Sequence, residues 1–189
     1  MSKSEGNPIV DGFRGKLGKF LVFKKVNGNT IATIAPTGDR GEGTEKQQAA
    51  RSRFSQAAVF VKSHLKNPAN KALYQAAAKR KGFVNARTLA MADFFGSPKI
   101  TAIDVTAYAG TVGSKIFIEA DDELEVKTVM VEILNADGSS VEKGSAVLQP
   151  ESGVWEYVAT VENADRIGDK VVVVATDRPG NTTTKELVL

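Results

Sequence analysis

Apolar positions recur along this chain with two different periods, and each stretch of one period predicts a different kind of element. Residues 19–26 and 30–36 are apolar-rich runs joined by Asn27-Gly28. Both residues of an Asn-Gly pair accept positive φ, so the pattern predicts a β-hairpin. Phe20 alternates with Val22 and Leu21 with Phe23, which makes both faces of the expected hairpin apolar. A two-stranded hairpin is marginal in water. This one is therefore expected to lie on helices, on the C-terminal half or on another subunit. Residues 1–18, with Gly12, Gly15 and Gly18, read as a flexible arm, and residues 37–44 as a connector.

The period then lengthens. Ala50, Phe54, Ala57, Ala58, Val61 and Leu65 follow a helical stripe, which predicts a helix from Thr44 or Glu45 to about Leu65. Asn67-Pro68 reads as N-cap and first residue of a second helix carrying Leu73, Tyr74, Ala76 and Ala77, stopped by Gly82. Asn85 caps a third, bearing Leu89, Met91, Phe94 and Phe95. After Gly96-Ser97-Pro98 the spacing changes again. Seven strands are expected at 100–108, 115–120, 126–134, 140–143, 154–161, 170–175 and 183–189, separated by turn residues such as Asp137-Gly138 and Pro179-Gly180-Asn181. Seven short strands in such a length suit a β-sandwich, with Trp155 in or beside its core. The fold class read from this pattern is α+β in two domains. A hairpin-plus-helix domain at 19–96 follows the arm at 1–18, and an all-β domain occupies 99–189.

Three segments carry a resemblance: KIFIEADD at 115–122, SGVWEYVATV at 152–161 and VVVVATDRPGNTTTKELVL at 171–189. With the turn Ala175, Asp177, Gly180 and Asn181 before the last strand, residues 99–189 resemble bacterial immunoglobulin-like or fibronectin-III-like domains. That resemblance implies a sandwich, and it implies no single function, because such domains adhere, bind glycans or act as spacers. Residues 10–95 resemble, more loosely, uncharacterised proteins of Bacteroidota and phages through GKLGKFLVF at 15–23 and QQAARSRF at 47–54. The phage and particle setting of those proteins implies a structural role.

Composition adds an asymmetry. The 189 residues carry a net charge of +3, yet residues 1–98 hold 17 Lys and Arg against 6 Asp and Glu, a net of +11. Residues 99–189 hold 8 against 16, a net of −8. A basic arm meeting a polyanion, or copies meeting basic half on acidic half, would both use that polarity. Arg14, Lys16, Lys19, Lys24, Lys25, Arg51, Arg53, Lys79, Arg80 and Lys81 form the candidate basic patch for nucleic acid, with Phe20, Phe23 and Phe54 interleaved. No run is long and apolar enough to span a bilayer, and the first residues lack a secretory core. The expected location is therefore the cytoplasm, or a particle or filament outside the cell.

Candidate chemistry is sparse. Cysteine is absent, which excludes disulfides and thiol nucleophiles. His64 is the only histidine and has no sequence-local partner for base catalysis. The Gly12/Gly15/Gly18 spacing precedes a strand rather than opening a helix, so chain flexibility or close packing explains it better than a phosphate cradle. Asp121, Asp122, Glu123 and Glu125, with Asp177, offer oxygen ligands without the spacing of a defined calcium loop. No enzyme, cofactor or metal site is expected. The reading that unites these features is a bacterial or virion structural protein: a self-assembling subunit of a filament, appendage or virus-like particle, with its immunoglobulin-like domain exposed. Its expected partner is itself, through an interface of Phe20, Leu21, Val22, Phe23, Ile31 and Ile34 or by hairpin addition to a neighbour's sheet edge. Nucleic-acid binding by the basic half is the alternative, and surface adhesion or glycan binding a third.

Overall fold

The computed structural model describes residues 2–4, 12–26, 29–35 and 41–189, so the Asn27-Gly28 turn lies outside the described residues. The chain is α+β. The expected hairpin consists of β3 (Leu21–Val26) and β4 (Asn29–Ile34), antiparallel, with Leu21 opposite Ile34 and Val26 opposite Asn29. It is not two-stranded. β2 (Gly15–Leu17) pairs with the outer side of β3, and β1 (Ser2–Ser4) with the outer side of β4. The segment read as a flexible arm thus contributes both edges of a sheet ordered β1-β4-β3-β2. The inner strands already have two neighbours each, which leaves neither free to join another sheet.

The helices begin and end where their caps dictate. α1 (Glu45–His64) starts with a reciprocal pair: Gln47 N–H donates to Thr44 Oγ1 and Thr44 N–H to Gln47 Oε1. α2 (Pro68–Lys81) has Asn67 Oδ1 accepting from Ala69 N–H at 2.9 Å and closes on Gly82 at φ 76°, the left-handed geometry glycine adopts without strain. α3 (Ala86–Phe95) starts with Asn85 Oδ1 accepting from Thr88 N–H. Val61, Tyr74, Ala77, Ala78, Leu89 and Ala90 form their shared core. Of the stripe expected on α1, Ala57 and Val61 are buried, whereas Ala50 and Phe54 are exposed.

The C-terminal strands make two four-stranded antiparallel sheets. One is β5 (Lys99–Asp104), β6 (Lys115–Asp121), β10 (Trp155–Val158) and β9 (Val147–Leu148), in that spatial order. The other is β12 (Thr182–Val188), β11 (Lys170–Asp177), β7 (Val126–Leu134) and β8 (Ser140–Ser145). Ile116, Ile118, Trp155 and Tyr157 from the first meet Val129, Val131, Ile133, Val171 and Val173 from the second in one core. Alternation along β7 and β11 sends every second residue into that core, as a half-buried strand requires. The short β9 was missed by the period because two residues are too few to alternate.

Contacts divide the chain into compact units at Met1–Ala49 and Ala50–Leu189. The join expected near residues 96–98 is where charge and period change. The two last helices nevertheless belong to one body with the sandwich. Leu124, from the β6–β7 loop, is buried in the helical core rather than in the sandwich.

Candidate functional site

The N-terminal sheet carries the first candidate surface. Side chains directly opposite across a sheet share a face. Leu17 faces Leu21 and Leu21 faces Ile34, so these three stand in a row across β2, β3 and β4. They are 55%, 38% and 79% exposed. Phe23, two residues on and therefore on the same face, packs on Phe13 with ring centroids 5.6 Å apart. The opposite face bears Lys16, Val22, Lys24, Val26, Ile31 and Thr33. The face with Leu21 and Phe23 also carries Lys25 and Thr30 toward the far end of the hairpin. Both faces are therefore mixed, with Leu17, Leu21, Phe23 and Ile34 as an apolar cluster at one end of one face, which corrects the expectation of two apolar faces. Of the expected interface residues, Leu21, Phe23 and Ile34 belong to that cluster, and Val22 and Ile31 lie on the other face. Phe20 falls in the turn before β3 and is 70% exposed. The glycines at 12, 15 and 18 lie in and beside β2, and among the described residues nothing packs closely on any of them.

The expected basic patch is dispersed. Arg14, Lys16, Lys19, Lys24 and Lys25 belong to the N-terminal unit, and the register sets Lys24 and Lys25 on opposite faces. Arg51, Arg53, Lys79, Arg80 and Lys81 belong to the other unit. There, Arg53 lies over the Phe95 ring, 5.3 Å from its centroid. Lys81 donates to the Asp122 carbonyl and lies 3.9 Å from the Asp121 carboxylate.

A buried acidic cluster lies between the helices and the sandwich; the sequence pattern singled out two of its members, Asp122 and Asp177, as oxygen ligands, but not Asp93. Asp93 is fully buried on α3, Asp122 nearly so in the β6–β7 loop, and Asp177 at the end of β11. Asp177 is satisfied: it accepts from Gly180 N–H, Asn181 N–H and the Asn181 side-chain amide, which also donates to the Asp93 and Phe94 carbonyls. Asp93 Oδ2 accepts from the Tyr74 hydroxyl at 2.6 Å. Asp93 Oδ1 is buried with no donor among the described residues, and the buried Asp122 carboxylate has only the backbone N–H groups of Glu123 and Leu124 near it, outside good hydrogen-bond geometry. A proton on Asp93 directed at Asp122 gives Asp93 Oδ1 and one Asp122 oxygen a partner, because two buried carboxylates cannot both ionise cheaply. Burial first, and Asp122 beside it, push Asp93 up to about 7, and burial also raises Asp122. The Tyr74 hydroxyl is raised too, by burial and by its bond to Asp93. Arg178 completes the junction, donating to Glu125 Oε1 at 2.7 Å and to Asn70 Oδ1 on α2. One sequence signal was available: Asp93 interrupts the apolar run Leu-Ala-Met-Ala-Asp-Phe-Phe and is the only acidic residue between 50 and 98.

His64 stacks on Phe60 at 3.9 Å, and its Nδ1 is buried without a partner among the described residues. Among those residues no group of three or more His, Asp or Glu is arranged to hold a metal ion, the loop at 121–125 included. No helix among them is long and apolar enough to cross a membrane. No protein-family model matches the chain, and no curated protein is significantly similar to it.

Proposed function

We propose that the protein is a non-enzymatic structural subunit that assembles with copies of itself through the apolar cluster on its N-terminal sheet. The observation that carries this is the exposed row Leu17, Leu21 and Ile34 beside the Phe13–Phe23 pair. Covering one large apolar side chain gains roughly 1.5–3 kcal/mol, so an apolar row of this kind is costly to leave in water. An apolar cluster is complementary to itself, which makes a second copy the natural occupant. The sheet's edges support face-to-face contact over edge addition, since each edge strand has three residues and Lys16 sits on one of them. Charge does not carry the reading. Residues 50–189 hold 17 basic and 17 acidic side chains, so the polarity between basic helices and acidic sandwich is balanced within one compact unit.

A single isologous contact closes a dimer, whereas a filament or shell needs a second contact of another kind. In the finer form of this proposal the sandwich, with its immunoglobulin-like character, is displayed from a filament, appendage or virus-like particle. Sedimentation and negative-stain microscopy test both levels. The unaltered chain is expected to associate as its concentration rises. Leu21→Lys with Ile34→Lys should leave it monomeric while its circular dichroism is unchanged. A wild-type chain that sediments as a monomer at every concentration overturns the proposal.

A further inference from the structure

The residue after α1, one side of α2 and the start of α3 border an open cleft of about 570 Å3, within the range that holds small organic ligands. Leu65 and the half-buried Phe83 give it an apolar lining, and Val84, 89% exposed, adds an apolar side chain on the loop before α3. Three cations line it: Lys71 and Lys79, eight residues apart on α2, and Arg87 in the first turn of α3. None of the three forms an ion pair among the described residues.

Ordinary helical surfaces intersperse acids with bases, often one turn apart. Here the single acid between 50 and 98 is Asp93, which is fully buried. α2 has no carboxylate and the one on α3 is buried, so the lining of the cleft carries only positive charge. An anionic ligand complements that charge. The apolar lining narrows its class, because an unpaired base can stack on Phe83 while covering Leu65 and Val84.

We propose that this cleft binds single-stranded nucleic acid, with Lys71, Lys79 and Arg87 on the phosphates and bases against Phe83, Leu65 and Val84. The proposal is independent of self-assembly. Fluorescence anisotropy of a labelled oligothymidine with the full chain tests it. Three phosphate contacts give a log–log salt slope of about −2, so affinity should fall roughly twentyfold between about 50 and 200 mM salt. Lys71→Glu, Lys79→Glu and Arg87→Glu together should abolish binding while thermal melting stays unchanged. Val84→Asp, at an exposed position, should weaken binding several-fold. Three results would each overturn the proposal: no binding by the wild-type chain at low salt, equal binding by the triple variant, or competition by polyglutamate as strong as that by unlabelled oligothymidine.

Discussion

Asp93 shows how one side chain makes stability depend on pH. Its folded value of about 7 lies above its ordinary value of 3.8, because burial and Asp122 disfavour its charged form. Between those values the native state binds more protons than the unfolded state. The contribution of Asp93 is thus complete below about pH 3.8 and is lost as pH rises through 7. Asp104, Glu132 and Asp137 act oppositely at low pH: hydrogen bonds from Thr106, from Lys143 and from Ser139 hold them below their ordinary values. The chain should accordingly melt higher at pH 5 than at pH 8, by an amount on the order of 2 kcal/mol or roughly 4–8 °C. Asp93→Asn keeps an acceptor for Tyr74 and a permanent donor for Asp122. Calorimetry should therefore find its melting temperature nearly level between these pH values and higher than wild type at pH 8. An equal slope in both proteins would place the titrating group elsewhere.

Strands show the same economy at the level of elements. The sandwich guards its edges, and the N-terminal sheet leaves a face open. A bulge in β5 between Ile100 and Ala102 breaks its pairing with β6. Lys185 of β12 reaches across and donates to the carbonyls of Ile100 and Thr101 at 3.2 and 3.0 Å. This ties an edge of one sheet to an edge of the other, and β9, with two residues, offers little template at the opposite side. Lys185→Ala should lower stability by roughly 1 kcal/mol in urea unfolding, because both carbonyls can still turn to water. A loss within error of zero would mean that water already satisfies them. Capping residues were the most legible part of this level. Asn67, Pro68, Gly82 and Asn85 act through backbone geometry within a few residues, so their roles survive whatever packs around them.

At the scale of the whole molecule the compact units divide at Ala49/Ala50, whereas the period changes near residue 96. Leu124 is buried against α2 and α3, and Asp122 beside Asp93, so the sandwich ends in a loop shaped for the helices. A chain covering residues 50–189 should unfold in one cooperative transition near the temperature of the intact protein. A chain covering 99–189 should be less stable by roughly 2 kcal/mol or more, since Leu124 would meet water. Circular dichroism melting of the two fragments decides between the boundaries; equal melting temperatures would favour the one near 96.

The sequence by itself determined the elements: three capped helices, the paired strands of the hairpin and seven of the strands beyond Pro98. Those depend on local period, turn residues and φ preferences, which a linear string carries. Which elements share a core, which faces stay exposed and which acids meet depend on residues far apart in the chain. Asp93 and Asp122, Leu17 and Ile34, and Lys71 and Arg87 are each separated by connections whose direction no local pattern encodes. Register gathered Leu17, Leu21 and Ile34 into one apolar cluster where alternation alone suggested two apolar faces. Tertiary packing turned the charge polarity of the halves into a neutral body with a basic cleft.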